Sequence, residues 1–259
     1  MEFKLVWENE MSLLNDVKYT LKIFPTASAL NSAAAQWIIT LAGKAISERG
    51  KFILSLSGGK TPLELYLSLS KPPLMNQIDW KKVFVFWSDE RCVSLDDARN
   101  NAHQALSLFL DKIDIPESNI YRIPVNLPPA EAASVYEYKL AKFFDANPPR
   151  FDLILLGLGE NGHTASLFPG TRTVEEKTKG IRDIYIKEEE MFRITMTAPF
   201  INQSRHILFL VLGNEKAIIL AKVLKGPYQP QKYPAQLIRP VDGELTWFVD
   251  EQAASHLNG

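Results

Sequence analysis

The sequence predicts an α/β fold with a mostly parallel, open sheet and helices on both faces. Short apolar runs of strand length alternate along the chain with longer segments of helical character, as βαβ units require. Some of these runs are apolar throughout, which is typical of strands buried on both faces. No internal repeat, low-complexity tract or break in composition divides the 259 residues. We therefore expect a single domain over 1–259, a length that α/β domains often reach.

In the first half of the chain, we predict an outer strand at 17–24, a helix at 27–48, strands at 51–56 and 83–87, a helix at 63–69, a helix within 96–111, a strand at 119–123 and a helix at 131–144. Partial alternation of apolar residues indicates the outer strand, which Pro25 ends. The long helix has no internal proline and is closed by Arg49-Gly50, because glycine commonly follows a helix.

The second half of the chain contains the remaining predicted strands and helices. We predict a central strand from Phe151, an exposed polar loop at 171–180 and a strand pair at 181–186 and 192–196 beside the sheet. A strand at 206–212 follows, and 213–216 opens a helix that runs to Leu224 with Asn214 as its N-cap. A helical turn at 234–240 and a last strand at 244–249 complete the chain. This order completes a series of strands connected through helices.

Composition excludes several classes of protein. The formal net charge is −1, so the chain lacks the basic footprint of a nucleic-acid-binding protein. Cys92 is the only cysteine, and the four histidines never fall at HxH or HxxxH spacing, so we expect no metal site. No apolar run approaches the length that spans a bilayer. The first ten residues, MEFKLVWENE, do not resemble a signal peptide, so we expect a cytoplasmic protein. The sequence specifies no oligomeric state, and a monomer is compatible with it.

The stretch 151–170, FDLILLGLGENGHTASLFPG, is the first candidate functional site. Its apolar run stops at Gly157, and Gly159, Gly162 and His163 follow. A buried strand that leads into a glycine-rich turn matches the place where open α/β sheets bind ligands. We interpret this turn as the floor of an active site with His163 as its working group.

Two other interpretations of this stretch stay open. The three glycines match the spelling of a dinucleotide-binding fingerprint, although Pro169 leaves no room for the long helix that such a site needs. An ordinary structural turn is the other, but a histidine between glycine and threonine has no apolar neighbours to pack on.

A second glycine turn follows the predicted strand at 51–56 and reads SGGKTP. Its candidate anion-binding residues are Ser57, Gly58, Gly59, Lys60 and Thr61. Free N–H groups at the start of the following helix favour a bound anion such as phosphate. The GxxxxGK[ST] spacing of a Walker loop is absent, and an ordinary β-to-α turn is the alternative.

Charged residues at three further places are candidates for the same ligand. Asp89 and Arg91 directly follow the apolar strand at 83–87, and the fork of an arginine can pair with two phosphate oxygens. Lys216 opposes the dipole of the helix that it opens, a small cost that a bound anion would remove. Arg193 either points to a ligand or lines a solvated face. The alternative for each of the other residues is a solvated surface position.

With these residues laid out, the chain resembles the 6-phosphogluconolactonases, in particular the short bacterial type. The resemblance spans most of the chain and rests on SGGKTP at 57–62, SDERCV at 88–93, GLGENGHTASLFPG at 157–170, RITMTAPFIN at 193–202, GNEKA at 213–217 and PAQLIRP at 234–240. It implies a Rossmann-like fold related to the glucosamine-6-phosphate deaminases.

The activity that the resemblance implies is hydrolysis of 6-phospho-D-glucono-1,5-lactone to 6-phospho-D-gluconate in the oxidative pentose phosphate pathway, with no cofactor. His163 is then the general acid/base that activates water, with an ordinary pKa of ~6.5. Amides around Gly159 and Gly162 are the expected oxyanion donors. Lys60, Arg91 and Lys216 would bind the 6-phosphate, with Arg193 as a further candidate.

The chain departs from the family pattern at two positions. Lys60 replaces a serine in the phosphate loop, and a cation there is compatible with phosphate. Asn161 replaces an aspartate two residues before His163, so it can hydrogen-bond the imidazole but adds no charge. Two other functions stay open: a phosphosugar isomerase or deaminase, and a phosphosugar-binding regulator without activity. Deaminases carry a glutamate where this chain has Phe168, which argues against the first.

Overall fold

A computed structural model describes residues 8–13, 17–145, 149–178 and 180–257. The expectation about a signal peptide falls mainly on residues 1–7, which lie outside the described residues. The strands are β1 Glu8–Leu13, β2 Val17–Phe24, β3 Phe52–Leu56, β4 Val83–Trp87, β5 Asp89–Arg91, β6 Leu153–Gly157, β7 Ile181–Ile186, β8 Met191–Met196, β9 His206–Val211 and β10 Glu244–Asp250. The α-helices are α1 Ala27–Arg49, α2 Leu63–Leu69, α3 Asn101–Leu108, α4 Pro129–Phe143, α5 Arg172–Glu175, α6 Ala198–Ile201, α7 Ala217–Lys225 and α8 Glu251–Ala254.

Seven strands form the main sheet, in the order β1-β2-β10-β9-β6-β3-β4. All neighbours from β2 to β4 run parallel, and β1 alone is antiparallel. The predicted mostly parallel α/β sheet is therefore confirmed. The expected outer position of β2 is wrong, because β1 pairs along its free edge.

The middle of this sheet is buried on both faces. Every residue of β3 is buried, as are the first four residues of β6 and the last five of β9. Helix α1 packs on β2, β3 and β10, and α8 packs on β2 and β10. The apolar side chains of these strands are therefore removed from water on both faces of the sheet.

A second sheet of three antiparallel strands, β5-β8-β7, lies beside the first. The predicted pair of strands at 181–186 and 192–196 is confirmed. Strand β5 was not predicted, and it places the charged residues after β4 against β8. Helix α4 packs against β7 and β8.

The strand order creates a switch point between β3 and β6. The chain passes from β3 to β4 on one side, and β6 then lies on the other side of β3. Ligands of open α/β sheets bind outside the carboxyl ends of the two strands that flank such a point. The SGGKTP turn follows β3 and the GLGENGH turn follows β6, so this topology places both turns at the same edge.

Local chemistry explains where the long helix begins and ends. The Thr26 hydroxyl accepts the Ala29 N–H at the start of α1, and Gly50 adopts φ = 73° after its last residue. Among the helices of the described residues, none is long and apolar enough to cross a membrane.

Three predicted elements need correction. Residues 119–123 form no strand: Asn119 ends a 3₁₀ turn and donates to the carbonyls of Lys81 and Val83, and only an isolated bridge joins Ile120 to Val85. The loop at 171–180 is not fully exposed, because it contains α5 with Thr173 and Val174 buried. The helix after β9 begins as a 3₁₀ turn at Asn214–Lys216, capped by Gly213 rather than by Asn214.

Candidate active site

A cleft of about 620 Å³ lies at the carboxyl edge of the main sheet. This volume is in the range of small-molecule sites. Twelve of the thirteen predicted site residues line it: Ser57, Gly58, Gly59, Lys60, Thr61, Asp89, Arg91, Gly159, Asn161, His163, Arg193 and Lys216. Segments that are far apart in the sequence therefore meet at one site.

His163 lies in the turn after β6 and is paired with Asn161. The Asn161 side-chain oxygen accepts the backbone N–H of His163 at 3.1 Å and lies 2.6 Å from the Nδ1 atom of the ring. A backbone N–H is always a donor, so the atom that it meets must be the amide oxygen rather than the amide nitrogen. The same oxygen then requires a hydrogen on Nδ1, which leaves the Nε2 lone pair of the neutral imidazole available as a base.

Packing holds the imidazole ring on two sides. The ring stacks on Phe168, with centroids 4.1 Å apart and planes 21° from parallel. On another side it approaches the Gly159 backbone so closely that an added Cβ would lie 2.1 Å from the ring. Only glycine fits at 159 without moving the histidine.

Burial lowers the pKa of His163 to about 4, and the charges of Arg193 and Lys216 act in the same direction. Asp89 and Glu189 oppose this shift without cancelling it. The expectation of an ordinary histidine pKa is therefore wrong for this structure. The ring is neutral at physiological pH, which is the form that can accept a proton.

The turn after β3 is held from below by Tyr66 of α2. The Tyr66 hydroxyl donates to the Ser57 carbonyl at 2.6 Å and accepts the Ser57 N–H at 3.1 Å. Lys60 is exposed at the mouth of the cleft and forms no ion pair within the described ranges. The turn is thus anchored at its base and presents a free cation at its tip.

Arg91 is oriented by Asn101, a cleft residue that sequence reasoning missed. The Arg91 Nη1 atom donates to the Asn101 side-chain oxygen at 2.7 Å and to the Arg99 carbonyl at 2.8 Å. No carboxylate pairs with Arg91 in the part of the chain that the structure describes. An asparagine at the first position of α3 carries no sequence pattern of its own that marks it as a site residue.

Arg193 is buried rather than solvated, and it is already paired. Its guanidinium donates to Glu189 and lies 3.8 Å from the Asp89 carboxylate. Asp89 also accepts the Ser166 hydroxyl at 2.7 Å. Asp89 therefore faces the cleft and pairs with Arg193, and a phosphate that bound Arg193 would compete with these carboxylates.

Lys216 lies across the cleft, at the end of the 3₁₀ turn that precedes α7. Its ammonium is 3.6 Å from Glu160, a long ion pair whose acidic partner is largely exposed. Exposed pairs of this kind contribute little. Lys216 can thus turn to an anionic ligand at small cost.

The amides of Gly159 and Gly162 themselves are not available as oxyanion donors. The Gly159 N–H donates to the His163 carbonyl at 2.8 Å, and the Gly162 N–H donates to the Gly159 carbonyl at 2.9 Å. Both amides are used to close the turn, and Gly162 packs against Tyr233 rather than lining the cleft. Their role is to shape the turn that carries His163.

Comparisons with known proteins show which family the chain belongs to. Residues 25–247 match the family of glucosamine-6-phosphate isomerases/6-phosphogluconolactonase, and the chain belongs to this family. A 6-phosphogluconolactonase of Synechocystis sp. is 44% identical over 225 residues, covering 85% of this chain and 90% of the relative. A 6-phosphogluconolactonase of Nostoc sp. is 37% identical over 249 residues, covering 93% and 100%.

Solved structures show the same fold. The 6-phosphogluconolactonase of Trypanosoma cruzi superposes with a TM-score of 0.83 at 25% identity, covering 94% of this chain and 98% of that one. A monomeric glucosamine-6-phosphate deaminase superposes with a TM-score of 0.78 at 24% identity, covering 91% and 99%. The second likeness shows the Rossmann-like fold alone.

Proposed function

We propose that the chain hydrolyses 6-phospho-D-glucono-1,5-lactone to 6-phospho-D-gluconate in the oxidative pentose phosphate pathway, with His163 as general acid/base. The observation that carries the role of His163 is its pairing with Asn161, which leaves Nε2 as the basic atom of a neutral ring at the cleft. The lactonase relatives at 44% and 37% identity support the reaction.

The reaction needs two proton transfers at one histidine. His163 Nε2 takes a proton from water as the water oxygen attacks C1 of the lactone. The resulting imidazolium returns that proton to the ring oxygen when the C1–O bond breaks. Asn161 keeps the ring oriented through both steps, because its side-chain oxygen accepts the Nδ1 hydrogen throughout. A lactone is an activated ester, so this route requires neither a metal nor a covalent intermediate.

The 6-phosphate binds at the SGGKTP turn. Lys60 and Arg91 supply cations that no carboxylate neutralises among the described residues, and Lys216 is only weakly paired. Arg193 is a further candidate once Glu189 is displaced. Binding of the phosphate fixes the lactone relative to His163, so it aids the chemical step as well as affinity.

The same proposal covers organisation and location. Residues 1–259 act as a single domain, which the family match over 25–247 supports. A cytoplasmic location suits a substrate whose phosphate charge keeps it out of the hydrocarbon of a membrane.

The test is an assay of lactone hydrolysis corrected for spontaneous opening, with glucosamine-6-phosphate as the alternative substrate. We expect acceleration of lactone opening and no deamination, because Phe168 stacks on His163 where a deaminase carries a glutamate. Deamination, or binding of the lactone without acceleration, would refute the proposal.

His163→Ala is expected to lower kcat by roughly 10²–10⁴ while 6-phosphogluconate still binds. His256→Ala is the matched control, because His256 is exposed and lies outside the cleft. Turnover near the wild-type value in His163→Ala would remove this residue from the mechanism.

A further inference from the structure

Glu90 is the middle residue of β5, and its buried carboxylate contacts the start of α3. Its residue is 1% exposed, although the side chain carries an ionisable group and does not line the cleft. Acidic side chains are almost never buried to this extent without strong partners. The partners of Glu90 therefore indicate what the carboxylate does.

Those partners are three backbone N–H groups from two segments. The Oε1 atom accepts the Arg91 N–H at 2.8 Å and the Asn101 N–H at 2.7 Å, and Oε2 accepts the Ala102 N–H at 2.8 Å. One carboxylate thus ties the end of β5 to the first turn of α3. The two oxygens together satisfy two N–H groups of the first turn of α3 as well as the Arg91 N–H.

The two segments that Glu90 joins carry side chains of the candidate phosphate site. Arg91 donates to the Asn101 side-chain oxygen at 2.7 Å, and the Asn101 amide donates to the Asp89 carbonyl at 2.9 Å. The Asn101 side chain also supports the turn after β3: a Cβ added to Gly58 would lie 1.7 Å from its oxygen. Asn101 therefore contacts three parts of the cleft, and its own backbone is held by Glu90.

We infer that Glu90 is a positioning residue that holds Asn101 and Arg91 in the geometry that binds the substrate's phosphate, and so sets the preference for phosphorylated lactones. The inference rests on the proposed lactonase activity. It assigns to the buried carboxylate a part in substrate selection, in addition to its hydrogen bonds at the start of α3.

Glu90→Gln is the sharpest test, because it keeps the shape of the side chain. Glutamine can present its oxygen to Arg91 and Asn101, but its NH₂ group then meets the Ala102 N–H, donor against donor. The first turn of α3 must shift, and Asn101 with it. We expect the ratio of kcat/KM for the phosphorylated lactone to kcat/KM for glucono-1,5-lactone to fall about tenfold, mainly through a higher KM for the phosphorylated substrate.

Asp152→Asn is the matched control. Asp152 is also a buried carboxylate that accepts a backbone N–H, that of Ile53 at 2.8 Å, but it precedes β6 at the opposite edge of the sheet. We expect this variant to lose thermal stability and to keep the substrate ratio within about twofold of wild type, since its partners are remote from the cleft.

The outcomes separate the inference from the proposed function. A folded Glu90→Gln with an unchanged ratio, or with equal losses on both lactones, would overturn the positioning role. If Glu90→Gln does not fold, Asn101→Ala must produce the same selective loss, and an unchanged ratio in that variant overturns the inference. A wild-type protein without lactonase activity contradicts the proposed function instead. In that case the inference is tested by calorimetry, which measures the binding of 6-phosphogluconate and of gluconate. We expect Glu90→Gln to weaken the binding of 6-phosphogluconate and to leave the binding of gluconate unchanged.

Discussion

Replacing Asn161 with aspartate should raise the pKa of His163 and move the acid limb of the pH–rate profile. In the wild type, burial lowers this pKa to about 4, and the neutral Asn161 amide cannot offset it. A carboxylate at the same position would lie beside Nδ1 and favour the imidazolium. The direction of the effect follows from the sign of the added charge.

The contact distance sets the magnitude. For charge centres about 4 Å apart and an effective dielectric constant of about 20, the attraction is about 4 kcal/mol, or about three pK units. His163 is only half-buried and lines an open cleft, so solvent reduces this value. We expect a rise of about two units, within the usual range for an adjacent opposite charge, which places the pKa near 6.

The two enzymes should then exchange rank across the pH range. At pH 7.5 both rings are neutral, and the more basic ring of Asn161→Asp is expected to give a several-fold higher kcat. At pH 5 about nine-tenths of the variant's rings are protonated, so its rate should fall about tenfold below its own plateau while the wild type keeps its rate.

The assay is kcat/KM for the phosphorylated lactone between pH 4 and pH 8, with the spontaneous rate subtracted at each pH. NMR titration of the imidazole C–H protons gives the His163 pKa directly. Asn214→Asp is the matched control, because Asn214 is exposed and does not line the cleft. An Asn161→Asp profile within half a unit of the control would refute the pairing, or the role of His163 as the base.

Three further predictions concern the surroundings of His163 and Arg91. Gly159→Ala should lower kcat by about 10²-fold, measured by turnover beside an unchanged circular dichroism spectrum, because the new Cβ would displace the imidazole. Arg91→Lys keeps the charge but loses the fork that Asn101 orients, so kcat/KM should fall about tenfold for the phosphorylated lactone alone. Denaturant unfolding should show that Glu90→Gln gains stability more steeply than wild type as pH rises from 4.5 to 6.5. Burial raises the Glu90 pKa to about 7, so the folded wild type holds a proton that the unfolded chain releases, and its stability falls as pH rises through this range. The lowered pKa of His163 has the opposite effect, because the unfolded chain holds a proton that the folded protein has lost. Glu90→Gln removes only the first effect.

The edge of the sheet that carries the site was predictable because of one property of parallel strands. Each glycine or charged motif directly follows an apolar run, and carboxyl ends of parallel strands meet at one edge. The residues at 57–61, Asp89, Arg91, His163 and Lys216 could therefore be placed together without knowing the strand order. Long helices were equally accessible, since α1 has helical composition over many turns and a glycine at its end.

Long-range pairing was not predictable in the same way. Strand β5 is only three residues long and charged, so its place in a sheet depends on β8 rather than on its own sequence. The segment at 119–123 has strand-like composition between two prolines, yet side-chain hydrogen bonds from Asn119 replace a ladder. In both cases a remote partner decides the local structure.

The pKa of His163 and the ion pairing of Arg193 could not be predicted from the sequence either. Its histidine pattern predicts a base, but the pKa depends on how far Phe168 and the Gly159 turn exclude water from the ring. Arg193 similarly becomes a buried ion-pair partner only because β7–β8 brings Glu189 beside it. Burial and pairing are properties of the folded chain, and both change the chemistry of the same side chains.

A histidine of pKa about 4 is a weak base, which constrains how this site can accelerate lactone opening. The base strength of His163 contributes little to the acceleration of lactone opening, because the neutral amide of Asn161 adds no charge that would stabilise the imidazolium. The lactone itself is activated and opens without a catalyst, so the chemical barrier that remains is modest. On the proposed mechanism, most of the rate comes from holding C1 and a water beside Nε2, and we expect contacts between the phosphate and the cleft to provide the binding energy for this. Arg91→Lys and Glu90→Gln should therefore reduce kcat/KM for the phosphorylated lactone about tenfold, although we expect neither side chain to touch the reacting carbon.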